Sequence, residues 1–262
     1  MTNIVLQDLT DGLLTITMNR PDRRNALNAD MTRGLVEAAR RAAEDHAVRA
    51  VLIKGAGGTF CVGGDVKSMA ANAAPPSLEV RRTDLRRGME VSRILHEMPK
   101  PVVAQIDGAA AGAGLSIALA CDLRVASESA KITTAFAKVG LSGDYGGTYF
   151  LTQMLGSAKA RELYLLSPVL TAKEAHGLGL VSRVVADAEI DAAARDLALS
   201  LAQGPSVTLG YIKTNINNAE DQSLEACFDA EAMHHSRSGE TADHKEAAKA
   251  FVEKRKPAFK GA

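Results

Sequence analysis

"AAAGAGLSIALACD", residues 109–122, contains only alanine and glycine until Leu115, where an apolar run begins. The first half reads as a loop and the second as a buried helix. Small residues let a second backbone, or a ligand, come close to the main chain. A helix N-terminus adds unbonded N–H groups and a partial positive charge. From these residues alone two explanations stand: close helix packing, or a site for something negative.

The flanking sequence places this stretch in an α/β chain. "KPVVAQIDG" (100–108) is an apolar strand leading directly into it. "LLTITMNR" (13–20) alternates with period two, and "VRAVLIKGA" (48–56) is a second apolar strand. Between them, Asn28 or Asp30 can cap a helix through "MTRGLVEAARRAAED" (31–45). In residues 67–98, Pro75-Pro76 marks a mobile loop, and Leu85, Met89, Ser92 and His96 then recur at helical spacing. "DLRVAS" (122–127) and "KITTAFAKVGL" (131–141) are further short strands and turns. Thr171 with Glu174 forms a capping box, which predicts a helix start. Alternating strands and helices predict an α/β core over residues 1–195. From 196 to 262 the strand signal stops and amphipathic helices follow.

Composition narrows the function. The 262 residues carry zero net charge, which argues against nucleic acid, whose phosphates need clustered Lys and Arg. No run of 18 apolar residues suggests a membrane span, and the N-terminus lacks a secretory pattern. A cytoplasmic protein is expected. Cys61, Cys121 and Cys227 form neither a disulfide framework nor a CxxC site, and the six histidines form no metal-ligand pair. The arginine doublets 81–82 and 86–87 read as a solvated face.

A second glycine loop, "GTFCVGGDVKSM" (58–69), also ends a strand. Two such loops can aim two backbone N–H groups at one point, the layout of an oxyanion hole. There is no GxxxxGK[ST], and Gly108, Gly112 and Gly114 miss the GxGxxG spacing.

"NRPDRRNAL", "GTFCVGGDVKSM", "KPVVAQIDGAAAGAG", "ACD", "GLSGDYGGT", "TAKEAHGLGLVSRVV" and "AFVEKRKPAF" together resemble the enoyl-CoA hydratase/isomerase, or crotonase, superfamily. The resemblance implies a spiral of ββα units and a C-terminal helical region that assembles a homotrimer or a dimer of trimers. It implies acyl-CoA chemistry with no permanently bound cofactor, coenzyme A arriving as part of the thioester substrate. The negative group would be the thioester oxygen of an enolate, held by the amides of Gly64 and Ala113. Many relatives have glycine at Ala113, but a backbone donor needs no particular side chain. Arg24, Ala26 and Lys67 would lie along the coenzyme, and Phe251 and Lys254 would reach a neighbouring subunit's coenzyme.

The same resemblance places the two glutamates of typical hydratases at Ser116 and Phe136, so both are missing here. Neither replacement titrates usefully near neutral pH. Isomerases of the superfamily, of the 1,2-epoxyphenylacetyl-CoA and dienoyl-CoA kinds, look similar around "GLSGDYGGT" and carry a catalytic aspartate at the position of Asp144. Taken alone, Asp144 also fits a turn former bonded to its own backbone. The expected reaction is a double-bond shift with Asp144 as general acid and base. The alternatives are hydration by one carboxylate and a water, thioester hydrolysis or dehalogenation, and coenzyme binding without turnover. Asp65, Asp122, Tyr145 and Cys61 read as structural.

Overall fold

An Asp-Gly pair opens the architecture. Asp11 (φ +53°) and Gly12 (φ +80°) form the tight turn that such pairs favour, joining β1 (Val5–Thr10) to β2 (Leu13–Met18). In the computed structural model, which describes residues 3–66 and 76–262, β1 pairs antiparallel with β2, Val5 opposite Met18. Every later neighbour in this sheet is parallel: β3 (Ala50–Gly55), β4 (Val102–Ile106), β6 (Leu123–Ser127) and β9 (Arg183–Val185). The strand order is β1-β2-β3-β4-β6-β9. A smaller sheet holds β5 (Ala109–Ala111), β7 (Lys131–Thr133) and β8 (Leu170–Thr171).

The central strands β3 and β4 open with apolar runs, Val51–Ile53 and Val102–Ala104, because both sheet faces are covered. On one face lies α1 (Ala29–Glu44), with Met31, Leu35, Ala38, Ala39 and Ala42 buried. Asn28 caps it, its side chain accepting from the Met31 amide at 2.9 Å. After α2 (Leu78–Gly88), α3 (Glu90–Glu97) joins the same core. The short α4 (Ala113–Leu119) is buried along its whole length. Next comes α5 (Gly147–Leu166), two helical segments joined at Gly156, whose φ of +74° and ψ of 160° break the helix. The capping box forms as expected at the start of α6 (Ala172–Gly177).

On the opposite sheet face, α7 (Ile190–Ala202) packs Ile190, Ala194, Ala198 and Ala202 against Leu13, Leu52, Val103 and Val125. The division expected at residue 195 falls inside this helix. Then follow α8 (Ser206–Asn218), α9 (Leu224–Glu240) and α10 (Ala242–Val252), the expected helical region. One buried cation ties it to the core. Lys213 of α8 donates to the Leu95 carbonyl at 2.7 Å, the Lys100 carbonyl at 3.1 Å and Asp122 at 2.9 Å. Asp122 also accepts from the Val102 amide at 2.6 Å, so it is structural. Among the described residues no helix is long and apolar enough to cross a membrane, and no cluster of His, Cys, Asp or Glu could hold a metal.

Candidate active site

Three segments distant in sequence meet at the C-terminal ends of the parallel strands. Residues 60–65 form the first. The Cys61 amide donates to the Ala109 carbonyl and the Ala111 amide to the Cys61 carbonyl, both at 3.0 Å. On the other side, the Leu27 amide donates to the Gly63 carbonyl at 2.8 Å and the Asp65 amide to the Leu27 carbonyl at 3.1 Å. The segment is therefore held by main chain on both flanks. Its approach to β5 and α4 demands glycine. At Gly63 (φ +87°) a Cβ would lie 2.9 Å from the Ala111 carbonyl oxygen and 3.3 Å from the Ala113 nitrogen. At Gly114 it would lie 2.3 Å from the Cys61 carbonyl oxygen.

The small residues of 109–114 thus divide between two roles. Gly114 serves close packing. Gly112 (φ +53°) turns the chain into α4 and leaves the Ala113 amide at its first turn. Among the described residues, neither the Ala113 nor the Gly64 amide donates a hydrogen bond. Both residues line a cavity of about 930 Å³, and Asp144 lines it with them.

Asp144 lies in the turn before α5, between Gly143 (φ +114°) and Tyr145 (φ +51°). Its Oδ1 is buried and has no hydrogen-bond partner among the described residues. A turn former would have used that oxygen on its own backbone. Burial pushes the carboxyl up from 3.8 to about 6, since removing water penalises the charged form. The other acids on the cavity differ. Asp65 pairs with Arg20 at 3.1 Å, which makes it structural. Glu37 and Asp84 are exposed at the mouth, where Asp84 meets Arg87 at 3.4 Å.

Ser116 is buried, and its hydroxyl donates to the Gly112 carbonyl at 3.3 Å. Phe136 is buried and stacks on Tyr164, ring centres 5.8 Å apart. Tyr164 also hydrogen-bonds Ser116, and burial pushes its phenol up to about 12. One aromatic ring therefore closes off both positions where the resemblance places glutamates. Cys61 is fully buried, which pushes its thiol up to about 12 and leaves it unreactive filler. Tyr145 is a buried wall residue.

The residues expected along the coenzyme are less gathered. Arg24 is exposed, in the left-handed region at φ +50°, and its carbonyl accepts from the Val62 amide. Ala26 is buried, its carbonyl taken by Arg20. Neither lines the cavity, although the next residue, Leu27, does. Lys67 and the loop reading through Pro75 lie outside the described residues. Phe251 and Lys254 are exposed at the end of α10 and do not line the cavity. Sequence reasoning missed Tyr164 and the place of Arg33 and Arg40 at the cavity mouth, and it read Arg87, which also lines the cavity, as part of a solvated face. Arg33, Glu37 and Arg40 share a helix face by their spacing of four and three, a signal that was available.

Comparison with known proteins identifies the family and the fold. The enoyl-CoA hydratase/isomerase family pattern matches residues 8–262. The 1,2-epoxyphenylacetyl-CoA isomerase of Escherichia coli (strain K12) is 37% identical over 261 residues, covering 100% of both chains. A probable enoyl-CoA hydratase of Rhodobacter capsulatus is 37% identical over 97% of this chain and 96% of its own. A solved structure of a putative enoyl-CoA hydratase from Streptomyces coelicolor A3(2) superimposes with a TM-score of 0.94 at 35% identity, covering 99% of this chain and 94% of that one.

Proposed function

Because the chain belongs to the enoyl-CoA hydratase/isomerase family, whose crotonase fold it shares, we propose that it shifts a double bond in an enoyl-CoA, with Asp144 as the sole proton carrier. The observation that carries this reading is the half-buried Asp144, its buried Oδ1 unpartnered among the described residues, in one cavity with two unbonded amides. The Asp144 carboxylate removes a proton from the carbon between the thioester carbonyl and a 3,4-double bond. The electron pair moves onto the thioester oxygen, giving a dienolate that accepts from Gly64 and Ala113. Asp144, now protonated, returns the proton to the far carbon, and the electrons collapse into a conjugated 2-enoyl thioester. No water enters the balance. Each amide donor is worth about 2.7–4 kcal/mol in such a site.

Hydration needs a water held and activated beside the substrate. The Ser116–Tyr164–Phe136 cluster offers no carboxylate for it, which favours isomerisation. The coenzyme would approach through the mouth bearing Arg33, Arg40 and Arg87, with Arg24, Ala26 and Lys67 along its path. Phe251, 85% exposed, and Lys254 would complete the site of a neighbouring copy in a homotrimer or a dimer of trimers. The exposed apolar Leu224, Phe228 and Met233 of α9 support that assembly. Residues 1–195 would then form the catalytic core and 196–262 the assembling region, in a cytoplasmic enzyme.

The test is incubation with a 3-enoyl-CoA and a 2-enoyl-CoA in ¹⁸O-labelled water, followed by mass spectrometry. The expected result is a double-bond shift without added oxygen, with activity rising as pH passes about 6, because the base must be ionised. Asp144→Asn should lower kcat by about 10²–10⁴. Full activity in that variant overturns the assignment, and rapid oxygen addition to the 2-enoyl substrate identifies a hydratase.

A further inference from the structure

Behind the active cavity lies a second one of about 510 Å³, lined by Ser92, His96, Tyr149 and Phe150 and, on its open side, by the charged Arg93 and Asp221. Among the described residues a single side chain lines both cavities: Tyr145. The α2–α3 joint completes the partition, with Gly88 on the active side and Met89 on the far side. The ring is wedged there. Its hydroxyl lies 3.4 Å from the Thr32 Oγ1, and a Cβ at Gly88 would lie 2.9 Å from the same hydroxyl. Tyr145 directly follows Asp144, so the partition stands next to the reacting end of the cavity. The far side is aromatic: His96 meets Phe150 edge-on at 5.2 Å, and Tyr149 meets Phe150 at 5.5 Å. Ser92 is buried there, with its hydroxyl unpartnered among the described residues.

We propose that Tyr145 sets the length of acyl group this site accepts, and that the cavity behind it, with its aromatic wall, is an extension able to take the far end of a longer acyl chain. The proposal rests on the acyl-CoA reading above. In the native protein the acyl group ends against the Tyr145 ring. Removing the ring joins the two spaces, and the apolar ring faces beyond it bury further methylenes.

The experiment measures equilibrium binding of saturated straight-chain acyl-CoAs of increasing length to the native protein, Tyr145→Ala and Tyr145→Leu. Saturated thioesters undergo neither isomerisation nor hydration, so the profile reads length whether the enzyme isomerises, hydrates or only binds. Expected for the native protein is tightening with length up to a limit and weakening beyond it. Expected for Tyr145→Ala is continued tightening past that limit, about fourfold per added methylene, measured relative to butyryl-CoA in the same variant. Adding Ser92→Leu to that variant should restore the native limit by filling the extension. Tyr145→Leu keeps an apolar contact in the core and carries the same test if alanine unfolds the protein. Identical length profiles in the native protein and in a variant that still binds butyryl-CoA would overturn the proposal. Failure of every acyl-CoA to bind would overturn the acyl-CoA reading itself.

Discussion

Replacing Asp144 by asparagine should stabilise the fold, and only above a definite pH. The carboxyl is pushed from 3.8 to about 6 by burial, so the folded state binds this proton more tightly than the unfolded chain does. Linkage then lowers stability as pH rises from 3.8 through about 6. At 1.36 kcal/mol per tenfold change in proton affinity, the gap corresponds to about 3 kcal/mol as an upper bound. Asp144 is only half-buried, and solvent screening reduces this to about 1–2 kcal/mol. Asparagine keeps the shape and removes the charge. Urea unfolding of both proteins at fixed concentration, from pH 4 to pH 8, gives the comparison. The variant should match the native protein near pH 4 and gain about 1–2 kcal/mol above pH 7. A difference that does not change with pH, or a variant less stable at pH 8, would refute the claim that burial costs the ionised carboxylate. The same ionised carboxylate is the form the proposed proton transfer needs, so the site keeps a destabilising charge where the chemistry uses it.

Two other outcomes follow from the site's surroundings. Gly114→Ala places a Cβ 2.3 Å from the Cys61 carbonyl oxygen, so the two glycine loops must separate. Turnover should fall by about 10²-fold, with stability lowered by about 1–3 kcal/mol in thermal unfolding. In native labelling with iodoacetamide, Cys227 should react, while the buried Cys61 and Cys121, both pushed up to about 12, should not. Peptide mass spectrometry reads this directly.

Local signals in the sequence were sufficient where one residue acts on its own neighbours. The Asn28 cap and the Thr171–Glu174 capping box each need a contact across three residues, and both form. The apolar runs of β3 and β4 declared buried parallel strands. The helix at Gly147–Leu166 gave no such signal. Gly156 interrupts its period, and it exposes Leu165 and Leu166 while burying Phe150 and Leu151. Because that helix was missed, so was Tyr164, which reaches back to Ser116 and Phe136. The juxtaposition of Gly64, Ala113 and Asp144 rests on long-range pairing that no spacing rule contains. It was expected through family resemblance, and the hydrogen bonds of residues 60–65 are the physical cause of the approach of Gly64 to Ala113.

Lys213 bears on how the chain is made. Translation proceeds from residue 1, and domains begin folding as they emerge. The strands that position the site are all complete by Val185. Yet Asp122 and the carbonyls of Leu95 and Lys100 meet their cation only when residue 213 arrives. Arg49, at the head of β3, likewise waits for the Gly204 carbonyl and the Ser206 hydroxyl. A nascent chain halted near residue 190 would hold the whole six-stranded sheet in sequence but lack the groups that tie down the N-terminal ends of its parallel strands. Such a chain should remain sensitive to protease on the ribosome until α8 emerges, which makes α8 a late fastening of a structure whose active residues were synthesised long before it.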